Sequence, residues 1–231
     1  MTAKRELRAI LFDAVGTLLR PAPGVAAVYA DVGRQFGCAP GEREIAARFA
    51  RAFARQEQID RRCFRGRTSE PRERDRWQRI VRRVFGRSAA LEPIFAALWD
   101  HFGRPQSWQL DPAIGPLWQE LSARGFQLGL ASNFDRRLLT ICAAQPELAD
   151  CPRVFVSSLV GWKKPSGEFF RAVERQLGLA GAQILLVGDD VGNDYQAALA
   201  AGWQALLLDP AGRWPALDAI ARLDQLPARL G

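Results

Sequence analysis

Four short stretches of this 231-residue chain carry side chains that could do chemistry. "ILFDAVGTLL" ends an apolar run on a single carboxylate, Asp13, and continues through Ala14, Val15 and Thr17. "LGLASN" ends on Ser132 and Asn133, "GWKKPSG" holds Lys163 and Lys164, and "LLVGDDVGND" holds Asp189, Asp190 and Asp194. A carboxylate can attack phosphorus and split one hard transfer into two easier ones. Hydroxyls and loop amides can donate hydrogen bonds to phosphoryl oxygens. An ammonium can neutralise charge, and clustered carboxylates offer the hard oxygen ligands that Mg²⁺ takes. Each stretch also has a plainer meaning. A strand-end Asp is often a turn residue, and Ser-Asn is often a helix cap. Paired lysines are usually solvated, and "GDDVGND" alone reads as an acidic turn or a fragment of a calcium loop.

Chemistry is favoured by where the surrounding elements must put these residues. "AILFDA" reads as a buried strand. From Pro21 to about Trp108 the pattern is helical. "GEREIAARFARAFARQEQIDRRCF" sets Ile45, Phe49, Phe53 and Ile59 on one stripe, and "RERDRWQRIVRRVFG" does so with Trp77, Ile80, Val81 and Val84. "LEPIFAALWDHF" makes a third helix. After Gln109 strands and helices alternate. Asp111 is expected as an N-cap with Pro112 at the first helical position, and Gly125, Gly178 and Gly202 as helix stops. "FQLGLAS", "RVFVSS", "AQILLVGDD" and "WQALLLD" read as strands. The expected fold is α/β, a doubly wound parallel sheet of Rossmann-like type, built from residues 1–20 and 110–231 with a helical cap inserted at 21–109. Ligands of such sheets sit outside the carboxyl ends of the strands, which selects Asp13, Ser132, the "GWKKP" loop and Asp189.

Bulk properties narrow the partners. The composition, 48% hydrophobic and 25% charged, is that of a globular chain. No stretch has the length of a membrane span, and none reads as a targeting segment. The four cysteines, Cys38, Cys63, Cys142 and Cys151, are scattered without a C-x-x-C pair, so a cytoplasmic location is expected. Residues 48–87 hold 14 Arg against 5 acids, a surplus of +9, while the rest of the chain sums to −2. That surplus offers a basic surface to anions. Arg outnumbers Lys 29 to 3 throughout, however, which favours solvated helix faces. No nucleic-acid motif or aromatic ladder accompanies the arginines, and Trp77, Trp99 and Trp108 read as cap packing. The lone histidine, His101, lies in a cap helix, which disfavours a Ser-His-Asp hydrolase. Oligomeric state is not legible.

The four stretches together resemble the haloacid dehalogenase-like superfamily, in order, spacing and the helical insertion after the first motif. "DAVGTLL" with "SNFDRRL" further resembles the branch of haloacid dehalogenase-like hydrolase domain-containing protein 3. The resemblance implies Asp13 as nucleophile, Ser132 and Lys164 as its catalytic partners, and Ala14, Val15, Thr17 and Asn133 around the substrate. It also implies Mg²⁺ on the Asp13 carboxylate, the Val15 carbonyl and Asp189, with Asp194 holding a water ligand or Lys164. The substrate implied is a small phosphorylated metabolite.

Val15 departs from that pattern. Phosphatases of the superfamily place there an acid that protonates the leaving group and then activates water. Three readings compete: a dehalogenase, a phosphatase that is selective or uses another acid (Asp135, Glu57 or Asp60), and a metal- or phosphate-binding scaffold that has lost turnover. Dehalogenases of the superfamily lack the acidic cluster that Asp189, Asp190 and Asp194 make here. Eroded sites usually lose several groups, whereas here Asp13, Thr17, Ser132, Lys164, Asp189 and Asp194 all remain. Asp190, where Ser or Thr is common, and Ser166-Gly167, where Asp-Pro is common, also depart from the pattern but remove no group the mechanism needs. A slow or selective Mg²⁺-dependent phosphohydrolase is therefore expected.

Overall fold

In a computed structural model, residues 7–38 and 40–230 are described. Eight strands and ten helices follow in chain order among the described residues. They are β1 (Ala9–Phe12), β2 (Leu19–Pro21), α1 (Val25–Gln35), α2 (Glu42–Phe64), α3 (Glu70–Phe85), α4 (Leu91–His101), β3 (Trp108–Leu110), α5 (Ile114–Ala123), β4 (Gln127–Ser132) and α6 (Arg137–Ala143). Then come β5 (Val154–Val156), α7 (Ser157–Val160), α8 (Gly167–Leu177), β6 (Ile184–Gly188), α9 (Ala197–Ala200), β7 (Gln204–Leu208), β8 (Ala219–Ile220) and α10 (Leu226–Arg229).

Six strands form one sheet in the order β5-β4-β1-β6-β7-β8, every pair parallel. A central parallel strand must be apolar on both faces, and all four residues of β1 are buried. Ile10 and Phe12 join one core with Leu117, Leu121 and Ile141, from α5 and α6. Ala9 and Leu11 join a second core on the opposite face with Phe169, Phe170 and Val173 of α8. Fully burying each of the larger side chains here, Leu, Ile, Val or Phe, contributes about 1.5–3 kcal/mol.

Between β2 and β3 the chain builds α1–α4 around a third core of Tyr29, Ile45, Ile80, Val84, Phe85 and Ile94. β2 and β3 pair antiparallel, Leu19 opposite Leu110 and Pro21 opposite Trp108, so entry to and exit from this helical unit are tied together. The α2 stripe differs from expectation at its C-terminal end. Ile59 is only half-buried, while Gln56 and Asp60 take the inward positions. They do so because the inward face there meets charged partners from α3 and from Lys163.

Other local departures are small. The helix expected from Asp111 starts at Ile114, with the Asp111 carboxylate accepting from the Ala113 amide at 3.0 Å. Ser157 and Ser158 begin α7 rather than continuing the strand. The helix expected after Asp190 opens as a π-helical turn, Val191–Gln196, before α9. Gly125, Gly178 and Gly202 follow the ends of α5, α8 and α9 with φ of 85°, 67° and 80°, as the stop reading requires. The four cysteines are free thiols.

Candidate active site

The loops after β1, β4 and β6, together with the Lys164 loop between α7 and α8, meet at the carboxyl edge of the sheet. Lys164 lies at the centre, 2% exposed. Its Nζ donates to Asp13 Oδ1 at 2.8 Å, to Asp194 Oδ1 at 2.5 Å and to the Ala131 carbonyl at 2.6 Å. An ammonium has three protons, so this one is fully used. Burial alone would lower the Lys164 pKa, but the Asp13 and Asp194 carboxylates outweigh it and hold the group charged.

Asp13, Asp189 and Asp194 each offer an oxygen within 4.8 Å of the others. Burial, reinforced by the Asp13 charge, pushes Asp189 up to about 6, against a hydrogen bond from Thr17 Oγ1 to Asp189 Oδ1 of 3.1 Å. Burial also raises Asp194, opposed by the Lys164 ammonium. Three crowded carboxylates facing one cation leave negative charge uncompensated. All three donors are hard oxygens, which fits Mg²⁺. Asp190 plays a different part. Its Oδ1 accepts from the Gly192 and Asn193 amides, both at 2.8 Å, and caps the π-helical turn.

Two glycines make the cluster feasible. At Gly16 φ is +96°, and a Cβ would lie 2.5 Å from the Asp189 carboxylate. At Gly188 a Cβ would lie 2.3 Å from Asp194 Oδ2.

The cluster opens into a cavity of about 420 Å³ that reaches from the sheet edge to the faces of α1–α4. Asp13, Val15, Ser132, Asn133, Lys164, Asp189 and Asp194 line it. The Ser132 hydroxyl has no protein partner among the described residues and is free to donate to a ligand. Asn133 uses both ends of its amide on Lys164, accepting from the Lys164 amide at 2.7 Å and donating to its carbonyl at 2.8 Å. It therefore holds the lysine loop in place. Ala14 and Thr17, grouped above with the substrate, are wholly buried and lie outside the cavity lining; Thr17 serves Asp189 instead. Val15 is 37% exposed on the cavity wall, with no carboxylate of its own to offer.

The other acids weighed above are committed elsewhere. Both Asp135 oxygens bond the Arg137 guanidinium at 2.7 Å. Asp60 accepts from Arg72 at 2.5 Å and Arg76 at 2.9 Å, and lies 3.5 Å from Lys163 Nζ. Glu57 pairs with Arg76 and, at 3.3 Å, with Lys163. Burial works to raise Glu57 and Asp60, but Lys163 and Arg76 win and hold both below the ordinary carboxylate range. Glu73, also buried, lies 3.9 Å from both Lys163 and Arg76. This network ties α2 and α3 to the Lys163–Lys164 loop, and residue types alone did not show it. One signal was available, namely two polar residues, Gln56 and Asp60, in step with the apolar stripe of α2.

Asp60→Ala removes the carboxylate that Arg72, Arg76 and Lys163 share, leaves Glu57 and Glu73 alone against the two buried cations Arg76 and Lys163, and is expected to cost about 3 kcal/mol in denaturant unfolding. The pH dependence follows from the depressed folded-state values of Glu57 and Asp60. Their contribution is present above the unfolded values, 4.5 and 3.8, and is lost as pH falls through the lower folded ones. Asp60→Ala should therefore show a shallower acid loss than wild type; parallel acid curves would refute the network's role.

The chain is similar in sequence and in fold to known proteins. A family model described as a haloacid dehalogenase-like hydrolase matches residues 7–202. Haloacid dehalogenase-like hydrolase domain-containing protein 3 of Bos taurus is 29% identical over 224 residues, covering 91% of this chain and 88% of that protein. Phosphoglycolate phosphatase of Escherichia coli (strain K12) is 29% identical over 223 residues, covering 87% of this chain and 81% of that enzyme. The crystal structure of a HAD phosphatase from Thermococcus onnurineus superposes with a TM-score of 0.70 at 21% identity, covering 97% of this chain and 98% of that one, which marks a shared fold.

Proposed function

The chain belongs to the haloacid dehalogenase-like hydrolase family, and from that premise we propose that it is a Mg²⁺-dependent phosphohydrolase acting on a small phosphorylated substrate through an aspartyl phosphate on Asp13. The observation that carries this reading is the convergence of Asp13, Asp189 and Asp194 around Lys164 at the floor of one cavity. A dehalogenase would gain nothing from three clustered carboxylates facing a carboxylate substrate.

In the proposed reaction an Asp13 oxygen attacks phosphorus, and the bond from phosphorus to the ester oxygen breaks. The leaving alcohol carries away that electron pair and takes a proton from solvent. Water then attacks the same phosphorus, releasing inorganic phosphate and restoring the Asp13 carboxylate. Lys164 fixes one Asp13 oxygen, which leaves the other to face the cavity, and Ser132 donates to a phosphoryl oxygen. Asp13, the Val15 carbonyl and Asp189 would hold Mg²⁺, which offsets charge on the phosphoryl group when bound. Thr17 orients Asp189, Asn133 positions Lys164, and the helical unit, residues 21–109, acts as the cap over the site. The free thiols fit a reducing, cytoplasmic setting.

A scaffold reading is favoured by one observation, the apolar Val15 on the cavity wall. A screen of phosphate esters with and without Mg²⁺ separates the two. Mg²⁺-dependent phosphate release supports the hydrolase, and no release with any ester supports the scaffold.

The metal has its own test. Asp189 is raised to about 6, so its protonation stabilises the metal-free protein below its unfolded value of 3.8, and that contribution is lost as pH rises through about 6. Mg²⁺ replaces the lost proton. At metal 100-fold above its dissociation constant the gain is about 2.7 kcal/mol, or a rise in Tm of roughly 5–10 °C. The rise should be full at pH 7.5, small at pH 5, and largely absent in Asp189→Asn. Equal Mg²⁺ shifts in wild type and Asp189→Asn would count against the site.

A further inference from the structure

The cavity is much larger than a phosphate needs. At about 420 Å³ it falls in the range that encloses a whole organic molecule. On the side of the helical unit its wall is chiefly aromatic, with Tyr29, Phe53, Trp77, Phe95, Trp99 and Trp108 prominent. Sequence periodicity marks such residues as packing, and several do pack, but each also faces this space.

Charged groups reach the cavity mostly already neutralised. Arg76 is paired with Glu57 and Asp60, Arg137 with Asp135, and Lys163 with Glu57 and Asp60. The two guanidinium groups lie over rings, Arg76 at 4.8 Å from the Phe53 centroid and Arg137 at 3.4 Å from that of Trp99. They extend the ring-lined wall instead of offering an open cation. Arg61 also lines the cavity and has no carboxylate partner among the described residues, but its side chain is exposed.

Resting on the phosphohydrolase reading, we propose that the group esterified to the phosphate is an aromatic alcohol of one or two rings, bound among these aromatic side chains. A sugar or a small hydroxy acid would surrender its water to a largely apolar wall whose charged groups, Arg61 apart, are already paired with one another, which is unfavourable. A second anionic group would find the inner cations already paired. Rings also match the stacked and edge-on contacts that the wall residues make with one another, such as Tyr29 edge-on to Phe49 at 5.3 Å and Phe49 stacked with Phe53 at 5.9 Å. Val15 fits the same conclusion. A phenol-type oxygen, with a pKa of about 10 like that of tyrosine, needs little protonation to leave.

The test uses the full chain in two forms. In Asp13→Asn, unable to form the aspartyl phosphate, calorimetry at millimolar Mg²⁺ compares 1-naphthyl phosphate, octyl phosphate, methyl phosphate and 2-phosphoglycolate. Naphthyl phosphate should bind roughly 10²-fold more tightly than methyl phosphate, from the apolar area it buries. It should also bind more tightly than octyl phosphate and 2-phosphoglycolate. Phe53→Ser should cut the naphthyl-to-methyl ratio at least tenfold; if that variant does not fold, the four-ligand ranking decides alone. Equal binding of naphthyl and methyl phosphate overturns the proposal. So does tighter binding of octyl phosphate, or of 2-phosphoglycolate held by Arg61. Turnover by the wild-type chain keeps the two claims apart. Preferential naphthyl binding without turnover supports the aromatic site and defeats the phosphohydrolase. Brisk turnover of small polar esters with no aromatic preference does the reverse.

Discussion

Asp13→Asn should abolish phosphate release, by roughly 10⁴-fold or more, and leave the protein folded. The amide keeps the shape of the carboxylate, and its oxygen can still accept from Lys164 Nζ, which now lies 2.8 Å from Asp13 Oδ1. An amide oxygen, however, is a far poorer nucleophile than a carboxylate. The fold should survive for an electrostatic reason as well. The Asp13 charge contributes to raising both Asp189 and Asp194, so its removal relieves repulsion in the cluster while it weakens one lysine pair. Tm should move by only a few degrees. The check is steady-state phosphate release together with intact mass after acid quench: wild type carries a phosphate adduct and Asp13→Asn carries none. Full turnover by purified, folded Asp13→Asn would sink the covalent route.

Much of this arrangement was legible in the sequence because it lies at strand ends. The runs before Asp13, Ser132 and Asp189 are apolar and short, as a parallel strand buried on both faces must be, and each ends on its polar residue. Glycines that end helices were equally legible, since few other residues accept their backbone angles. What was not legible depends on three-dimensional neighbours. Nothing in "FDAVGTL" says that the Thr17 hydroxyl turns to Asp189, 172 residues away. Asn133 reads as a cap until Lys164 is seen against both ends of its amide. The β2–β3 ribbon has three residues per strand, too few for a period of two to show. Helical periodicity finds the inward faces of α1–α4 but cannot tell a filled core from the wall of a cavity. Trp77 and Trp99 were therefore read as packing, although both also line the cavity.

The second large effect concerns the acid that is absent. Wild type should cleave aryl and acyl phosphates far faster than alkyl phosphates. An alkoxide needs a proton as it leaves, and the residue on the cavity wall two positions after Asp13 is Val15, 37% exposed and apolar. Neither Asp135 nor the acids of α2 stand ready to replace the absent acid. Asp135 is held by Arg137 through both oxygens, and Glu57 and Asp60 are kept ionised by Lys163 and Arg76. General acid-base help is worth roughly 10²–10⁴-fold, about 3–5 kcal/mol of barrier, so its loss sets the slope of the leaving-group series. The second half-reaction suffers too, because no carboxylate beside Asp13 activates the attacking water. Phosphoenzyme should then accumulate, giving a burst of leaving group equal to the enzyme present, followed by slow turnover. Val15→Asp restores a carboxylate at a position already exposed to the cavity. It should speed alkyl phosphate hydrolysis by up to roughly 10²-fold and shrink the burst. The measurement is a leaving-group series on both proteins at millimolar Mg²⁺ with rapid mixing. Brisk wild-type cleavage of alkyl esters, with no burst and no leaving-group dependence, would mean that Asp135 or a cap acid is released from its ion pair when substrate binds. Absence of phosphoenzyme and turnover in both proteins would leave Asp13, Lys164 and the acidic cluster as a binding site without chemistry.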